Sequence, residues 1–350
     1  MKETIDSFRD EYAFLSNFYY AEVELDGVKY PTVENAFQAA KTNDSEARKA
    51  FETVPPNEAK KLGQQVNLSK FWNSQRVDVM KDLLKQKFNI PKFKEKLLAT
   101  GSAYLIEGNW WHDNSWGICN CDNCKSTTTP RSNSNLLGRL LTEVRYEIKP
   151  ITCHTGGAKG SDMLFETLSV DNGFNVTAYS FDGHSTKSTN RKLLTQEELD
   201  SVTDKVTQVG FLIRRNAPLS RPQILQYLQR DIYQVLDSEV VFAIGTLEDK
   251  TQMPYGGTAW AVGMAVINRT PVWFFDQEKK QWLFYDEQKW VHEPFPHNRY
   301  FKVKDFTGIG TREINDTGKQ AIQDIIEGFK IIRSNYVTKK LQRSYKRQTN

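Results

Sequence analysis

The chain has 350 residues, 39 % of them hydrophobic and 26 % charged, the make-up of an ordinary globular protein with room for two cores. No apolar run approaches the roughly 18 residues needed to cross a bilayer, and the opening Met1-Lys2-Glu3-Thr4-Ile5-Asp6 carries no apolar signal segment. A membrane protein is therefore excluded and a cytoplasmic location expected. The net charge of +4 is concentrated at the end, where Thr338 to Asn350 hold Lys339, Lys340, Arg343, Lys346 and Arg347 and no acid. The remainder is close to neutral, unlike a nucleic-acid-binding domain, and residues 337–350 are expected to form a solvated basic tail.

In chain order, Phe14-Leu15-Ser16-Asn17-Phe18 precedes two predicted strands, Ala21 to Leu25 and Val28 to Tyr30, joined by the hairpin pair Asp26-Gly27. Pro31 suits the residue at or just before a helix start. The run Thr32 to Lys41 then places Glu34, Gln38 and Lys41 on one helical stripe. A carboxylate in the first turn lies near the positive end of the helix, which favours its ionised form. The lysine two turns on could pair with it or share a substrate with it; the plain alternative is an exposed Glu/Lys face. Further helices are expected around 57–63, 74–88 and 92–99, with Trp72 just after Lys70-Phe71. Trp110-Trp111, in a loop-like setting, could wall a base pocket. They lead into His112-Asp113-Asn114-Ser115-Trp116-Gly117.

Three of the four cysteines, Cys119, Cys121 and Cys124, form C-x-C-x-x-C immediately afterwards. All four are expected to be reduced. Thiolates this close can hold Zn²⁺, but a structural site needs a fourth ligand, for which His112 is the nearest candidate. C-x-C is a less usual zinc spacing, so the expectation is a reduced cluster that orders its loop, with no metal or cofactor assigned. Ser126 to Ser134 reads as a polar loop able to act as a lid. Leu136, Leu137, Leu140, Leu141 and Val144 recur at helical spacing and close the first domain, at residues 1–149.

The ordered combination of FLSNF, YPTVE with FQAAK, a central tryptophan, DNSWG and NLLGRLLTEVR resembles the NADAR, or YbiA-like, family over residues 8 to 148. That resemblance implies an α+β domain with N-glycosidase activity on N-ribosyl bonds. Family substrates are phosphoribosylamino intermediates of riboflavin synthesis and, in other members, ADP-ribose attached to guanine bases. It implies Glu34, Lys41, Trp72 and Asp113 as catalytic residues, and Asn17, Phe18, Trp116, Gly117 and Asn135 as substrate-binding residues. Two positions depart from the commonest pattern: Asn35 replaces a histidine, and Ile118 replaces an aspartate, leaving Asp113 as the only acid beside that motif.

The second domain, residues 150–336, opens with an apolar strand, Ile151 to His154. It continues into the loop Thr155-Gly156-Gly157-Ala158-Lys159-Gly160-Ser161-Asp162, a helix Met163 to Leu168 and a strand Asn175 to Phe181. This is the opening of a Rossmann-type unit, in which backbone N–H groups and a helix N-terminus can receive a phosphate. A helix over Arg221 to Leu236 precedes the continuous apolar run Glu239 to Gly245, a buried parallel strand. That run leads to a second glycine turn, Pro254-Tyr255-Gly256-Gly257-Thr258, a helix Ala259 to Val266 and a strand Pro271 to Phe275. Phe306 to Glu313 reads as a third glycine turn.

These turns resemble the SLOG superfamily, related to the lonely-guy phosphoribohydrolases and to DprA. The resemblance implies a nucleotide site built from Gly156, Gly157, Lys159, Gly160, Asp162, Gly256, Gly257 and Thr258. Ala259-Trp260-Ala261-Val262 stands where the phosphoribohydrolases carry a glutamate, which favours binding over hydrolysis. Arg191, Arg214 and Arg215 are available for phosphate or form a solvated charged face. The expected protein is an N-glycosidase joined to an α/β nucleotide-binding domain, with ADP-ribose, another NAD-derived nucleotide or ADP-ribosylated nucleic acid as partner. A non-catalytic sensor or sponge of such nucleotides is the competing class, and self-association is left open.

Overall fold

A computed structural model describes residues 3–125, 134–286, 288–296 and 298–348, with side chains to residue 332. The chain divides into two compact units, Met1–Lys149 and Pro150–Asn350. The expected lid falls almost entirely on 126–133, outside the described residues.

The first unit begins with β1 (Thr4–Ile5), a 3-10 turn over Asp10–Leu15, and the hairpin β2 (Tyr20–Leu25) and β3 (Val28–Thr32). Asp26 and Gly27 both have positive φ, 52° and 84°, the pair of left-handed residues that a tight hairpin turn demands. Pro31 lies at the end of β3, directly ahead of the cap of α1 (Val33–Ala39), which is Thr32, its hydroxyl accepting the Asn35 N–H. The helix is not an exposed charged face: every residue from Val33 to Ala39 is buried. Short α2 (Ser45–Lys49) and α3 (Pro56–Leu62) lead to α4 (Trp72–Asn89), α5 (Pro91–Ala99), β4 (Tyr104–Leu105), β5 (Gly108–Asn109), β6 (Ile118–Cys119), α6 (Asp122–Lys125) and α7 (Leu136–Ile148). Apolar faces of α1, α4, α5 and α7 share one core with Phe14, Leu15 and Tyr30.

The second unit is a three-layer α/β domain of Rossmann-like build, as expected. Its strands are β7 (Thr152–Thr155), β8 (Asn175–Ser180), β9 (Arg191–Leu193), β10 (Val240–Gly245), β11 (Val272–Asp276), β12 (Gln281–Asp286), β13 (Lys289–Glu293) and β14 (Asp305–Gly310). They form one sheet in the order β13-β12-β11-β10-β14-β7-β8-β9. β11 to β9 run parallel, and β12 and β13 add an antiparallel edge. Between strands lie α8 (Ser161–Asp171), α9 (Gln196–Ser201), α10 (Thr203–Leu212), α11 (Pro222–Leu236) and α12 (Thr258–Ile267); α13 (Asp316–Gln348) closes the chain.

Alternation along β10 explains the layers. Val241 and Ala243 pack with α10, α11 and α12, while Val240, Phe242 and Ile244 meet α8 and α13. The expected third glycine turn is a correction: Phe306 to Gly310 belong to β14, a central strand. A side chain at Gly308 would stand 2.3 Å from the Phe165 ring of α8, so these glycines serve helix–sheet packing. The expected basic tail is likewise helical backbone, because α13 runs to Gln348. Among the described residues no helix is long and apolar enough to cross a membrane.

Candidate active site

The first unit holds a cavity of about 260 Å³ lined by Asn17, Phe18, Glu34, Phe37, Gln38, Lys41, Lys60, Trp72, Arg76, Met80, Glu107, Asp113 and Trp116. Seven of these, Asn17, Phe18, Glu34, Lys41, Trp72, Asp113 and Trp116, were expected from the sequence. The residues between Phe14 and Phe18 are held from both sides. Asn17 carbonyl accepts the Glu34 N–H at 3.1 Å, and Ser16 carbonyl accepts Lys87 Nζ at 2.7 Å. Lys87 is completely buried on α4 among the rings of Tyr19, Phe88 and Phe93, and burial lowers its pKa to about 7. Asn17 Oδ1, buried at the cavity, has no hydrogen-bond partner among the described residues, which leaves an acceptor open there.

Glu34 is 6 % exposed, and its Oε1 accepts Gln38 Nε2 at 2.8 Å across one helical turn. The helix terminus does not keep this carboxyl at an ordinary pKa. Desolvation raises it, the Gln38 hydrogen bond and the Lys60 and Lys41 charges oppose, and Asp113 adds to the rise. Lys41 lies just beyond α1. Its Nζ donates to the Gly63 carbonyl at 2.9 Å rather than to Glu34. Burial lowers its pKa, Glu34 works the other way, and Lys60 reinforces the lowering.

The aromatic wall comes from three separate elements. Phe37 of α1 stands 4.9 Å from Trp72 and 5.2 Å from Trp116, centroid to centroid. Trp116 and Asp113 share the loop between β5 and β6. Asp113 Oδ1 accepts the N–H groups of Ser115 at 3.0 Å and Trp116 at 2.9 Å, which fixes the carboxylate to its own turn. Trp110 and Trp111 are more than half exposed and do not line the cavity. Lys60, however, stands 5.8 Å from the Trp111 ring and 6.0 Å from that of Phe18, placing a cation at the mouth.

Two residues expected at the substrate, Asn135 and Gly117, are not among those lining the cavity. Asn135 holds backbone: Oδ1 accepts the Glu107 N–H at 3.0 Å and Nδ2 donates to Leu105 carbonyl at 2.8 Å. Gly117 allows close chain approach, since a Cβ there would lie 2.3 Å from Glu107 carbonyl. The unusual Asn35 is also structural, donating to the Phe51 and Val54 carbonyls at 2.9 and 2.8 Å.

Glu107, Lys60, Arg76 and Met80 are cavity residues that sequence reading missed. Glu107 follows a two-residue strand, where no periodicity marks it. Its pKa is raised to about 7, first by desolvation, then by Asp113 and Glu34, against Lys60. Because the folded value exceeds the unfolded one, the stability linked to protonated Glu107 is present below pH about 4 and lost as pH climbs through about 7. Glu107→Gln is therefore expected to raise the melting temperature by a few degrees (~2–4 °C per kcal/mol) at pH 8, and by much less at pH 4. Scanning calorimetry at the two pH values checks this, and an equal shift at both would refute the assignment.

In the second unit the two glycine loops both follow parallel strands, β7 and β10. Gly157 and Gly160 have φ of 61° and 98°, which a side chain rarely adopts. Asp162 is structural: Oδ2 accepts the Gly156 N–H and Oδ1 the Gly310 N–H, both at 3.1 Å. Its pKa rises to about 6 by desolvation, against Arg230. Arg230 was missed. It is buried on α11, paired with Asp231 at 3.2 Å, and lies against Gly156 so closely that a Cβ there would be 1.3 Å from Nη1. Arg215, expected to be available for phosphate, instead pairs with Glu248 at 2.5 Å and donates to the Gly256 and Pro254 carbonyls at 2.9 and 3.1 Å. It braces the second glycine turn. Thr258 is buried at the start of α12, Gly257 is its N-cap, and Lys159 is exposed.

Fold and cleft together define a class: an α+β domain whose cavity sets the buried Glu34 and the half-buried Glu107 and Asp113 beside an aromatic wall, followed by a Rossmann-like domain. Residues 5–149 match the family model described as the NADAR domain. The N-glycosidase YbiA of Escherichia coli (strain K12) is 31 % identical over 159 residues, covering 42 % of this chain and 91 % of that protein. Its NMR structure superposes with a TM-score of 0.36 over 42 % of this chain and 86 % of that one, at 32 % identity. A riboflavin biosynthesis protein of Vibrio vulnificus (strain YJ016) is 28 % identical over 149 residues, covering 40 % of this chain and 36 % of that protein. The crystal structure of a putative molybdenum carrier protein from Syntrophus aciditrophicus aligns at 15 % identity and a TM-score of 0.31, over 52 % of this chain and 95 % of that one. The chain belongs to the NADAR family through its first domain.

Proposed function

We propose that the first domain is an N-glycosidase that hydrolyses the N-ribosyl bond between ADP-ribose and a guanine base. The observation that carries this reading is the convergence in one cavity of two carboxyls with raised pKa, Glu34 and Glu107, with the cations Lys60 and Arg76 and the Trp72–Phe37–Trp116 wall. Relatives named N-glycosidase support the reaction type. Cleaving a ribosyl–nitrogen bond develops positive charge on the sugar, so a carboxylate beside C1 stabilises the transition state, and a proton must reach the departing base. Glu34 suits the first task or the activation of water. Glu107, held at about 7, delivers the proton near neutrality. Asp113 orients the ribose, Lys60 and Arg76 neutralise phosphate, and Trp72 stacks on the base.

A second reading, hydrolysis of a phosphoribosylaminopyrimidine, draws on the Vibrio relative's name and uses the same groups. Incubation with ADP-ribosylated guanine DNA and, separately, with the phosphoribosylaminopyrimidine tests both. Release of ADP-ribose supports the first, and release of free pyrimidine alone supports the second. Tight binding of ADP-ribose without turnover of either would make the domain a sensor or sponge.

The second domain is, in the same proposal, a SLOG-type module that receives a phosphate-bearing nucleotide at Gly156, Gly157, Gly160, Gly256, Gly257 and Thr258. Its support is topological: both glycine loops open at the carboxyl ends of parallel strands, where ligands of such folds bind. A Cβ at Gly157 would lie 2.7 Å from Thr186 Oγ1 in a left-handed conformation. Gly157→Val is accordingly expected to weaken nucleotide binding to the full chain by at least ~10-fold, about 1.4 kcal/mol, while leaving glycosidase turnover unchanged. Calorimetry with ADP-ribose measures it, and normal binding by the variant would remove the loop from the site.

A further inference from the structure

The cysteine cluster is more than a set of neighbouring thiols. His112 comes from the loop ahead of Asp113, Cys119 from β6, Cys121 from the following turn and Cys124 from α6. Their four ligand atoms lie within 4.8 Å of one another. His112 Nδ1 stands 3.3 Å from Cys124 Sγ and 3.4 Å from Cys121 Sγ. With Zn–S of about 2.3 Å and Zn–N of about 2.0–2.1 Å, a zinc tetrahedron has N–S edges of about 3.6 Å and S–S edges of about 3.8 Å. The two His112–sulfur distances already stand close to the N–S edge, and all four donors lie within about an ångström of the longer one.

A second observation concerns what points at the sulfurs. The His112 N–H is directed at Cys119 Sγ at 3.4 Å, the Cys124 N–H at Cys121 Sγ at 3.4 Å, and Asn114 Nδ2 at Cys124 Sγ at 3.3 Å. Each cysteine of the cluster thus receives an N–H donor, the outer-shell arrangement that favours thiolates at a metal. Three thiolates this close repel strongly unless a cation lies among them. His112 also adopts φ 67°, a rare conformation for a residue with a side chain, and in it the imidazole meets the sulfurs.

We infer that His112, Cys119, Cys121 and Cys124 bind one Zn²⁺ as a closed structural site. Soft thiolates with an imidazole select zinc over magnesium or calcium, and four protein ligands leave no open position for substrate. This departs from the reduced, metal-free cluster expected from spacing alone. On binding, the metal forms three bonds to sulfur and one to Nδ1, and any thiol protons pass to solvent. The site ties the loop bearing Asp113 and Trp116 to the segment 119–124. Asn114 extends the tie, since its Oδ1 accepts the Cys119 N–H at 2.9 Å. Zinc is therefore a positioning element for the cavity wall and takes no part in bond cleavage.

The test uses the full chain, purified under reducing conditions. Elemental analysis after dialysis is expected to give about one zinc per chain, and the cobalt(II)-loaded protein should show the intense visible bands of a tetrahedral thiolate site. Cys121→Ser and His112→Ala should each lose the metal while the second domain's thermal transition is unchanged. Should those variants precipitate, a mercurial titration of the wild-type thiols replaces them. It should free one zinc, read with a chromogenic chelator, in step with modification of the cluster. A chain that stays zinc-free after incubation with zinc chloride, an octahedral cobalt spectrum, thiol modification without zinc release, or variants that retain full zinc would each overturn the inference. None of these readouts depends on glycosidase activity, so the outcome stands apart from that of the proposed function.

Discussion

Glu34→Gln is expected to lower turnover of the N-ribosyl substrate by at least ~100-fold, the scale on which a positioned acid or base acts, without loss of folding. The amide can keep the oxygen that accepts Gln38 Nε2, so the side chain should stay in place while its charge disappears. Relative to the wild type, the variant should be increasingly stable as pH rises. Burial raises the folded pKa of Glu34, so the wild type loses this group's contribution as pH rises through that value, whereas the neutral amide does not titrate. The paired measurements are steady-state kinetics and thermal melts. Full activity in the variant would remove Glu34 from the chemistry. Lost activity together with a collapsed melt would show that it is needed for folding, because α1 is buried along its whole length.

The parts of this site that were legible in the sequence share one property: local patterns fix them. The Asp26-Gly27 turn follows from backbone sterics. Glu34 and Gln38 share a stripe because one turn of α1 carries both, and the motif match brings in Trp72 and Asp113. What was not legible depends on distant chain. Lys60 reads as an exposed helix charge, yet it comes to lie near the rings of Phe18 and Trp111. Glu107 sits between two-residue strands whose pairing with β1 and β6 no periodicity announces. The Arg230–Asp231 pair looks like an ordinary polar face of α11, and only the packing of α11 beneath the Gly156 loop buries it. Even the sign of the Glu34 shift was hidden. A helix terminus alone would stabilise its charge, but desolvation inside the core is the larger effect.

Lys41→Ala should abolish turnover, and borohydride added to the wild type during turnover should attach the sugar covalently to Lys41. Both expectations follow from where the amine stands. Lys41 lines the cavity, and its Nζ is held by a neutral carbonyl, that of Gly63, instead of by Glu34. Its pKa is lowered chiefly by burial, with Lys60 adding and Glu34 opposing, which increases the fraction of uncharged nucleophile near neutrality. Such an amine can attack C1 as the bond to the base breaks, the base leaving with the proton from Glu107. Ring opening then gives an imine that water hydrolyses and borohydride reduces to a stable secondary amine. The two ionisations pull in opposite directions. Raising pH deprotonates Lys41 and quickens attack, while above pH about 7 Glu107 loses the proton the leaving base needs. Turnover should therefore follow a bell-shaped pH profile whose alkaline limb flattens in Glu107→Gln. Peptide mapping after reduction decides the chemistry. An adduct on Lys41 establishes the covalent route. An inactive Lys41→Ala with no trapped adduct in the wild type would leave the lysine an electrostatic role and make a water molecule, activated by Glu34, the nucleophile.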